Sequence, residues 1–265
     1  MTWFEWKDAP AADFAVIGDP VAHSLSPRMQ TAAFQKVGLN YSYIAVRVPQ
    51  SEFDEAVSHL QSLGFAGLNV TVPLKLLALK WCAKTDAERY GAVNTLRLAD
   101  RAGTNTDAPG FLQTLRDREI SPCKALVLGA GGSARALCQA LSEEGFELRV
   151  WNRTTDRAVA MVEESGVRAI VLDEPDPADC DLIVNMTASG LNRQELTIAW
   201  TNANQEAMAY DLWYTQGLTP FLQDAHTAGL KVCDGRALLV AQGALSFKWW
   251  TGLEAPQQAM MDAVK

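Results

Sequence analysis

A chain of 265 residues with 48% hydrophobic and 20% charged residues has the composition of a soluble globular protein long enough for two domains. Its net charge of −8 excludes broad binding to nucleic acid or to an anionic membrane, because neutralising phosphates takes surplus Lys and Arg. No uncharged apolar run approaches the roughly 18 residues of a membrane span, and the acidic, apolar-poor N-terminus does not read as a secretory leader.

Residues 1–13 read as an irregular lead-in, either a strand or a frayed end, and Phe14–Ile17 as a short buried strand that breaks at Gly18-Asp-Pro20. Ser26 suits an N-cap and Pro27 the first helical position. Met29, Ala32, Ala33 and Val37 give that helix its apolar face. Ser24 and Ser26 thus become hydroxyls at the C-terminal end of a strand, where open α/β sheets bind ligands. Capping alone also accounts for Ser26, and His23 reads as an ordinary loop histidine.

Tyr43–Val48 is a second strand. Ser51-x-x-Asp54 resembles a capping box ahead of a helix with Phe53, Val57, Leu60 and Leu63 on one face. Gly67–Pro73 is a third strand that delivers Asn69, Thr71 and then Lys75 to the next connection. A Leu- and Ala-rich helix follows through Trp81. Gly91–Thr95 leads into a strand over Thr95–Leu98, and Gly103–Gly110 is a polar, turn-rich segment before a helix from Phe111. Asp107 there fits an N-cap. Strand–helix–strand repeats of this kind predict a mostly parallel α/β domain.

A second series starts at Lys124. The apolar run Ala125–Leu128 ends in Gly129-Ala130-Gly131-Gly132-Ser133, and a helical pattern opens at once through Ala134, Leu137, Cys138 and Leu141. Gly129-x-Gly131-x-x-Ala134 between a strand and a helix fits the dinucleotide fingerprint. Glycine lets the backbone approach a pyrophosphate closely, and the first helical turn offers its N–H groups to the anion. The next strand, Leu148–Trp151, ends at Asn152-Arg153-Thr154, with Arg157 one turn on. NAD-binding units commonly carry an acid here for the ribose 2′-hydroxyl. Two guanidiniums and a hydroxyl suit a 2′-phosphate instead, so NADP is expected.

Val167–Leu172 and Leu182–Asn185 are further strands. The small polar turn Met186-Thr187-Ala188-Ser189-Gly190 fits either the nicotinamide side of the cofactor or a plain turn. Ala209–Leu212 and Lys231–Cys233 are the last strands, with a helix around Phe221–Ala228 between them. Asp234–Trp250 is a long, largely apolar helix with one interior glutamine, Gln242, which has to be paired in the core or aimed at a polar ligand. The five cysteines are scattered, odd in number and without Cys-x-x-Cys spacing, so reduced thiols in a cytoplasm are expected and no metal site.

Ser24-Leu-Ser-Pro27, Gly67-Leu-Asn-Val-Thr-Val-Pro-Leu-Lys75, Gly91-Ala-Val-Asn-Thr95, Asn105-Thr-Asp107, Gly129-Ala-Gly-Gly132, Asn152-Arg-Thr154 and Gln242-Gly-Ala244, in this order, resemble the shikimate dehydrogenase family. The resemblance runs along almost the whole chain. It implies an N-terminal α/β substrate domain over 1–107, a Rossmann-type NADP-binding domain over 108–235, and C-terminal helices over 236–265 that return to the first domain. It implies NADPH-dependent, reversible reduction of 3-dehydroshikimate to shikimate, in aromatic amino acid and chorismate biosynthesis, by a monomer or homodimer whose partner is this small molecule.

Residue roles follow from the same resemblance. Lys75 and Asp107 are the implied catalytic pair, and Ser24 and Ser26 hold the substrate carboxylate. Asn69, Thr71, Asn94 and Gln242 take ring hydroxyls, and Tyr214 reaches the substrate side. The turn Gly129–Ser133 holds the pyrophosphate, and Asn152, Arg153, Thr154 and Arg157 the adenosine phosphate. Thr187, Gly235 and Leu238 complete the cofactor set. Three places depart from the family pattern: Leu238 stands where a nicotinamide-contacting methionine is usual, Gln216 stands in the proline place of Tyr-x-Pro after Tyr214, and Asn185-Met-Thr-Ala-Ser-Gly190 departs mildly from the usual Asn-x-Thr-Ser/Pro run.

Overall fold

The computed structural model describes residues 2–187 and 196–265. The chain forms two compact units, one of Met1–Gly110 with Leu239–Lys265, the other of Phe111–Leu238.

The first unit is built on strands β1 (Trp3–Glu5), β2 (Phe14–Gly18), β3 (Tyr43–Arg47), β4 (Gly67–Val70), β5 (Lys84–Thr85), β6 (Thr95–Arg97) and β7 (Ala102–Thr104), in sheet order β1-β3-β2-β4-β6-β7-β5. Every residue of β2 and β4 is buried, as in strands covered on both faces. Only the pairings of β4 with β6 and of β6 with β7 are antiparallel. Helices α1 (Ser26–Lys36), α2 (Phe53–Ser62) and α3 (Lys75–Trp81) connect the strands. The helix α4 (Asp107–Arg116) follows β7.

The lead-in contains a strand, β1, which pairs with β3 in parallel. Three local details differ from the sequence expectations. The N-cap position of α1 is Leu25, not Ser26; the Ser24 hydroxyl instead accepts the Ser26 N–H at 3.3 Å. The Ser51-x-x-Asp54 box does not form, because a 3₁₀ turn over Gln50–Glu52 runs straight into α2 with no side-chain cap. The segment 102–110 is a strand and a helix start, not a turn. A Cβ on Gly103 would lie 2.3 Å from Cys82 Sγ, so glycine serves close packing there.

The core of this unit joins Phe14, Phe34, Tyr43 and Met29 to Val240, Ala244 and Phe247 of α8 (Arg236–Thr251) and to Met260 and Val264 of the terminal helix (Gln257–Val264). The C-terminal helices therefore return to the first sheet, as expected. Phe247 is fully buried, a burial that stabilises by about 2–3 kcal/mol relative to exposure.

The second unit carries β8 (Lys124–Leu128), β9 (Glu147–Trp151), β10 (Ala169–Leu172), β11 (Leu182–Asn185), β12 (Met208–Asp211) and β13 (Lys231–Cys233). All pairs are parallel and the order is β10-β9-β8-β11-β12-β13. Numbered within the unit this is 3-2-1-4-5-6, the order of a Rossmann fold, and it reverses between β8 and β11. Helices α5 (Gly132–Glu143), α6 (Thr155–Ser165) and α7 (Pro220–Thr227) follow β8, β9 and β12. Leu126, Leu128, Ile183, Phe221 and Leu222 form the core.

Candidate active site

In the first unit, the ends of β4, β6 and β7 and the start of α3 converge. Lys75 opens α3, and its carbonyl accepts the Val93 N–H at 3.1 Å, which ties the helix start to the segment entering β6. Its Nζ lies 2.6 Å from Asp107 Oδ2, and both residues are only 9% exposed. Asp107 does not cap α4. The Asn105 Oδ1 accepts the Ala108 N–H at 2.9 Å, which leaves the Asp107 carboxylate to face Lys75.

Asn94 links this pair to its surroundings. Its Nδ2 donates to Asp107 Oδ1 and to Thr106 Oγ1, both at 2.9 Å, and its Oδ1 accepts the Thr106 N–H at 2.7 Å. Gln242 of α8 joins with its Oε1 3.4 Å from Asn94 Nδ2, while its Nε2 donates to Leu239 O. Gly110 makes this approach possible: a Cβ there would lie 2.9 Å from the Gln242 nitrogen. The interior glutamine is thus both satisfied in the fold and brought to the lysine–carboxylate pair.

Asn69 is turned inward. Its Oδ1 accepts the Tyr43 hydroxyl at 2.7 Å, and its Nδ2 donates to Thr95 Oγ1 at 3.1 Å and Ser246 Oγ at 3.0 Å. Burial pushes the Tyr43 phenol well above its ordinary range, so it remains a donor. Thr71 is half-buried, its N–H bound to Ile17 O. Ser26 is the first residue of α1, and Ser24 lies just ahead of its N-cap.

Tyr43, Thr95, Thr106 and Ser246 were not singled out from sequence. Ser246 alone left a trace: it follows Gln242 by one helical turn, so two polar residues share one stripe of an apolar helix.

In the second unit, Gly129 ends β8 with φ +121°, and a Cβ there would lie 3.1 Å from the Met186 carbonyl carbon. Ala130 follows, half-buried. Gly131 is the N-cap of α5, exposed, with open space where a Cβ would stand. Gly132 and Ser133 form the first turn of this twelve-residue helix. At the end of β9, Asn152 Nδ2 donates to Thr154 O at 2.8 Å, and Arg153, Thr154 and Arg157 are exposed at the start of α6. A close-approach glycine turn, an open helix N-terminus and two exposed guanidiniums with no acid at the strand end fit a dinucleotide carrying a 2′-phosphate.

The remaining cofactor candidates lie in the same unit. Thr187 donates its N–H and its hydroxyl to Asn185 Oδ1 at 3.1 and 2.7 Å. Ala188, Ser189 and Gly190 of the same expected turn lie outside the described residues. Gly235 is packed so tightly that a Cβ would sit 2.0 Å from Leu212 O. Leu238 is buried, and Tyr214 is half-buried in the segment after β12.

Asp211 ends β12 fully buried, and that burial pushes its carboxyl up to about 6. The folded carboxyl then keeps a proton over a range where the unfolded chain has released it, so this group's stabilisation is present at low pH and declines as pH rises. Unfolding free energy from this group is expected to fall between about pH 4 and 6, by about 3 kcal/mol in all. Urea denaturation across that range checks the sign, and Asp211→Asn should flatten the decline.

A Rossmann sheet with an open glycine turn, together with a unit holding a buried ammonium–carboxylate pair, defines an oxidoreductase that works with a pyridine nucleotide. Sequence models of the family match the chain in three stretches: the shikimate dehydrogenase substrate binding domain over residues 16–96, shikimate / quinate 5-dehydrogenase over 112–212, and the shikimate 5′-dehydrogenase C-terminal domain over 235–265. Shikimate dehydrogenase (NADP(+)) of Thermus thermophilus is 44% identical over 260 residues, covering 95% of this chain and 97% of the relative. The enzyme of the same name from Methanopyrus kandleri is 42% identical over 278 residues, covering 97% and 96%. The crystal structure of shikimate 5-dehydrogenase from Thermus thermophilus in complex with NADP(H) and shikimate superposes with a TM-score of 0.85 at 42% identity, covering 95% of this chain and 98% of that one. The chain belongs to the shikimate dehydrogenase family.

Proposed function

We propose that this chain catalyses the NADP-linked, reversible reduction of 3-dehydroshikimate to shikimate, in the route to chorismate and the aromatic amino acids. We assign the dinucleotide to Phe111–Leu238, and the catalytic pair Lys75 and Asp107 lies in the unit of Met1–Gly110 with Leu239–Lys265. The observation that carries the reading is the buried Lys75–Asp107 pair, held by Asn94 with Gln242 beside it.

The reduction adds a hydride and a proton, two electrons and two protons in all, to a ring ketone. The reduced nicotinamide supplies the hydride when bound. Lys75 places its ammonium at the ketone oxygen, stabilises the charge that gathers there and passes it a proton, so the C=O becomes CH–OH. The lysine then regains its proton from solvent. Asp107 holds the Lys75 side chain in place, and Asn94 fixes the carboxylate through Oδ1.

Ser24 and Ser26 hold the substrate carboxylate, and Thr71, Asn94 and Gln242 its hydroxyls, with Tyr214 contributing a further contact. Asn69 is assigned a different part from that implied by the resemblance. Its amide is engaged by Tyr43, Thr95 and Ser246, so it braces β4 against β6 and α8. The turn Gly129–Ser133 holds the pyrophosphate. Asn152, Arg153, Thr154 and Arg157 hold the 2′-phosphate. Thr187, Gly235 and Leu238 bound the nicotinamide side.

No helix among the described residues is long and apolar enough to cross a membrane. A cytoplasmic setting is supported by five free cysteines. The test is a steady-state assay of shikimate oxidation with NADP⁺ and with NAD⁺, beside quinate. Turnover is expected with shikimate, and kcat/KM at least tenfold higher for NADP⁺ than for NAD⁺. Quinate outrunning shikimate, or no turnover with either, sinks the reading.

A further inference from the structure

The second unit contains a buried carboxylate that the proposed chemistry does not use. Asp211 has no solvent exposure, and three donors converge on it. Its Oδ1 accepts Asn185 Nδ2 at 3.2 Å and the Trp213 N–H at 3.1 Å, and its Oδ2 accepts the Thr219 hydroxyl at 2.6 Å.

Each donor leads to a segment at the C-terminal edge of the sheet, the edge where α/β units of this kind receive ligands. Asn185 passes the restraint to Thr187 by accepting both its N–H and its hydroxyl. Trp213 closes the ring, because its Nε1 donates to Thr187 O at 2.6 Å. Asp211, Asn185, Thr187 and Trp213 are therefore joined in one circuit. Thr219 extends it, because its oxygen also accepts the Leu222 N–H at the start of α7. The segment 213–219, which contains Tyr214, is thus pinned at both ends to a single carboxylate. Further clamps hold its first half: Gly235 N–H to Trp213 O at 3.0 Å, and Arg236 Nη2 to Thr215 O at 2.6 Å.

We propose that Asp211 is a positioning residue that sets Thr187 and Tyr214 together, so that one buried group fixes a cofactor contact and a substrate contact. The inference rests on the assignment of Thr187 to the nicotinamide and of Tyr214 to the substrate. Its physical basis is the cost of leaving a buried donor unmet. Without the carboxylate, the Trp213 N–H, the Asn185 amide and the Thr219 hydroxyl lose their shared partner, and the Trp213–Thr187 bond alone no longer fixes both segments in register.

A merely structural carboxylate would lower stability and leave the binding constants of the folded enzyme alone. A positioning one moves both constants and couples to the residues it positions. The experiment measures Kd for NADP⁺ by titration calorimetry, and KM for shikimate, in the full chain for Asp211→Asn, Thr187→Ala, Tyr214→Phe and the two double variants, each at a temperature where it is folded. Asp211→Asn is expected to raise Kd for NADP⁺ and KM for shikimate, each about tenfold. Its effects should be non-additive with Thr187→Ala on the first constant and with Tyr214→Phe on the second.

Should Asp211→Asn not fold, Thr219→Val removes one donor only. It should raise KM for shikimate about threefold, and Thr219→Ser should restore it. Unchanged Kd and KM in the folded Asp211→Asn or Thr219→Val enzyme, or strict additivity in both cycles, overturns the inference. If Thr187→Ala and Tyr214→Phe are themselves silent, the underlying assignment fails and the inference with it, a result distinguishable from additivity between effective variants.

Discussion

Lys75→Ala is expected to lower kcat for shikimate oxidation about a thousandfold while changing KM for shikimate by no more than about threefold. In the proposed mechanism the ammonium acts where charge develops at the substrate oxygen, so its loss falls on the transition state. General acid–base and oxyanion contributions of this kind are each worth about a hundredfold to several thousandfold. In the proposed assignment binding is spread over Ser24, Ser26, Thr71, Asn94 and Gln242, none of which is altered. The variant also removes the counter-charge of Asp107, which is 9% exposed. Breaking a buried pair costs about 3 kcal/mol, so Tm should fall, and the assay is to be run well below it. Near-normal kcat in a folded Lys75→Ala enzyme would falsify the role.

Arg153→Ala with Arg157→Ala is expected to reduce kcat/KM for NADPH about a hundredfold and to leave that for NADH within about threefold. Both guanidiniums are exposed at the start of α6, and no carboxylate occupies the end of β9. A charge-assisted contact to phosphate contributes about 1.5–3 kcal/mol, so each side chain is worth about tenfold or more toward a 2′-phosphate and little toward a 2′-hydroxyl. Raising the salt concentration should shrink the difference between the cofactors, because the pair is solvent-exposed and screened. Equal losses with NADPH and NADH would instead indicate damage to α6.

How far the site could be read from sequence differs from residue to residue, for physical reasons. The glycine turn and the basic end of β9 were legible because their determinants are local: φ +121° at Gly129, an open position at Gly131, and a strand end at Asn152. Gln242 was legible as an anomaly, a polar residue on an apolar helix. The pairing of Lys75 with Asp107 was not, because it depends on two helix starts 32 residues apart meeting at one end of a sheet; the family resemblance carried it.

The brace of Tyr43, Asn69, Thr95 and Ser246 joins residues up to 177 positions apart and left almost no local pattern. Where local rules misled, tertiary contact was the cause. Asn105 took the cap that Asp107 could have filled, and the Gly103 backbone lies against Cys82 inside a strand whose composition reads as a turn.

The first unit is discontinuous along the chain: Met1–Gly110 is completed only by Leu239–Lys265. A ribosome releases the parts in the opposite of a convenient order. Phe14 and Phe34 emerge long before Phe247, Met260 and Val264, the residues that share their core. During synthesis the second unit, contiguous over Phe111–Leu238, has all its own core in hand first. The first sheet meanwhile waits with aromatic surface uncovered, the kind of exposure that chaperones recognise. A nonsense codon between Leu238 and Phe247 would therefore do more than trim a tail. It would leave a dinucleotide-binding unit able to fold, attached to a first unit that cannot close its core.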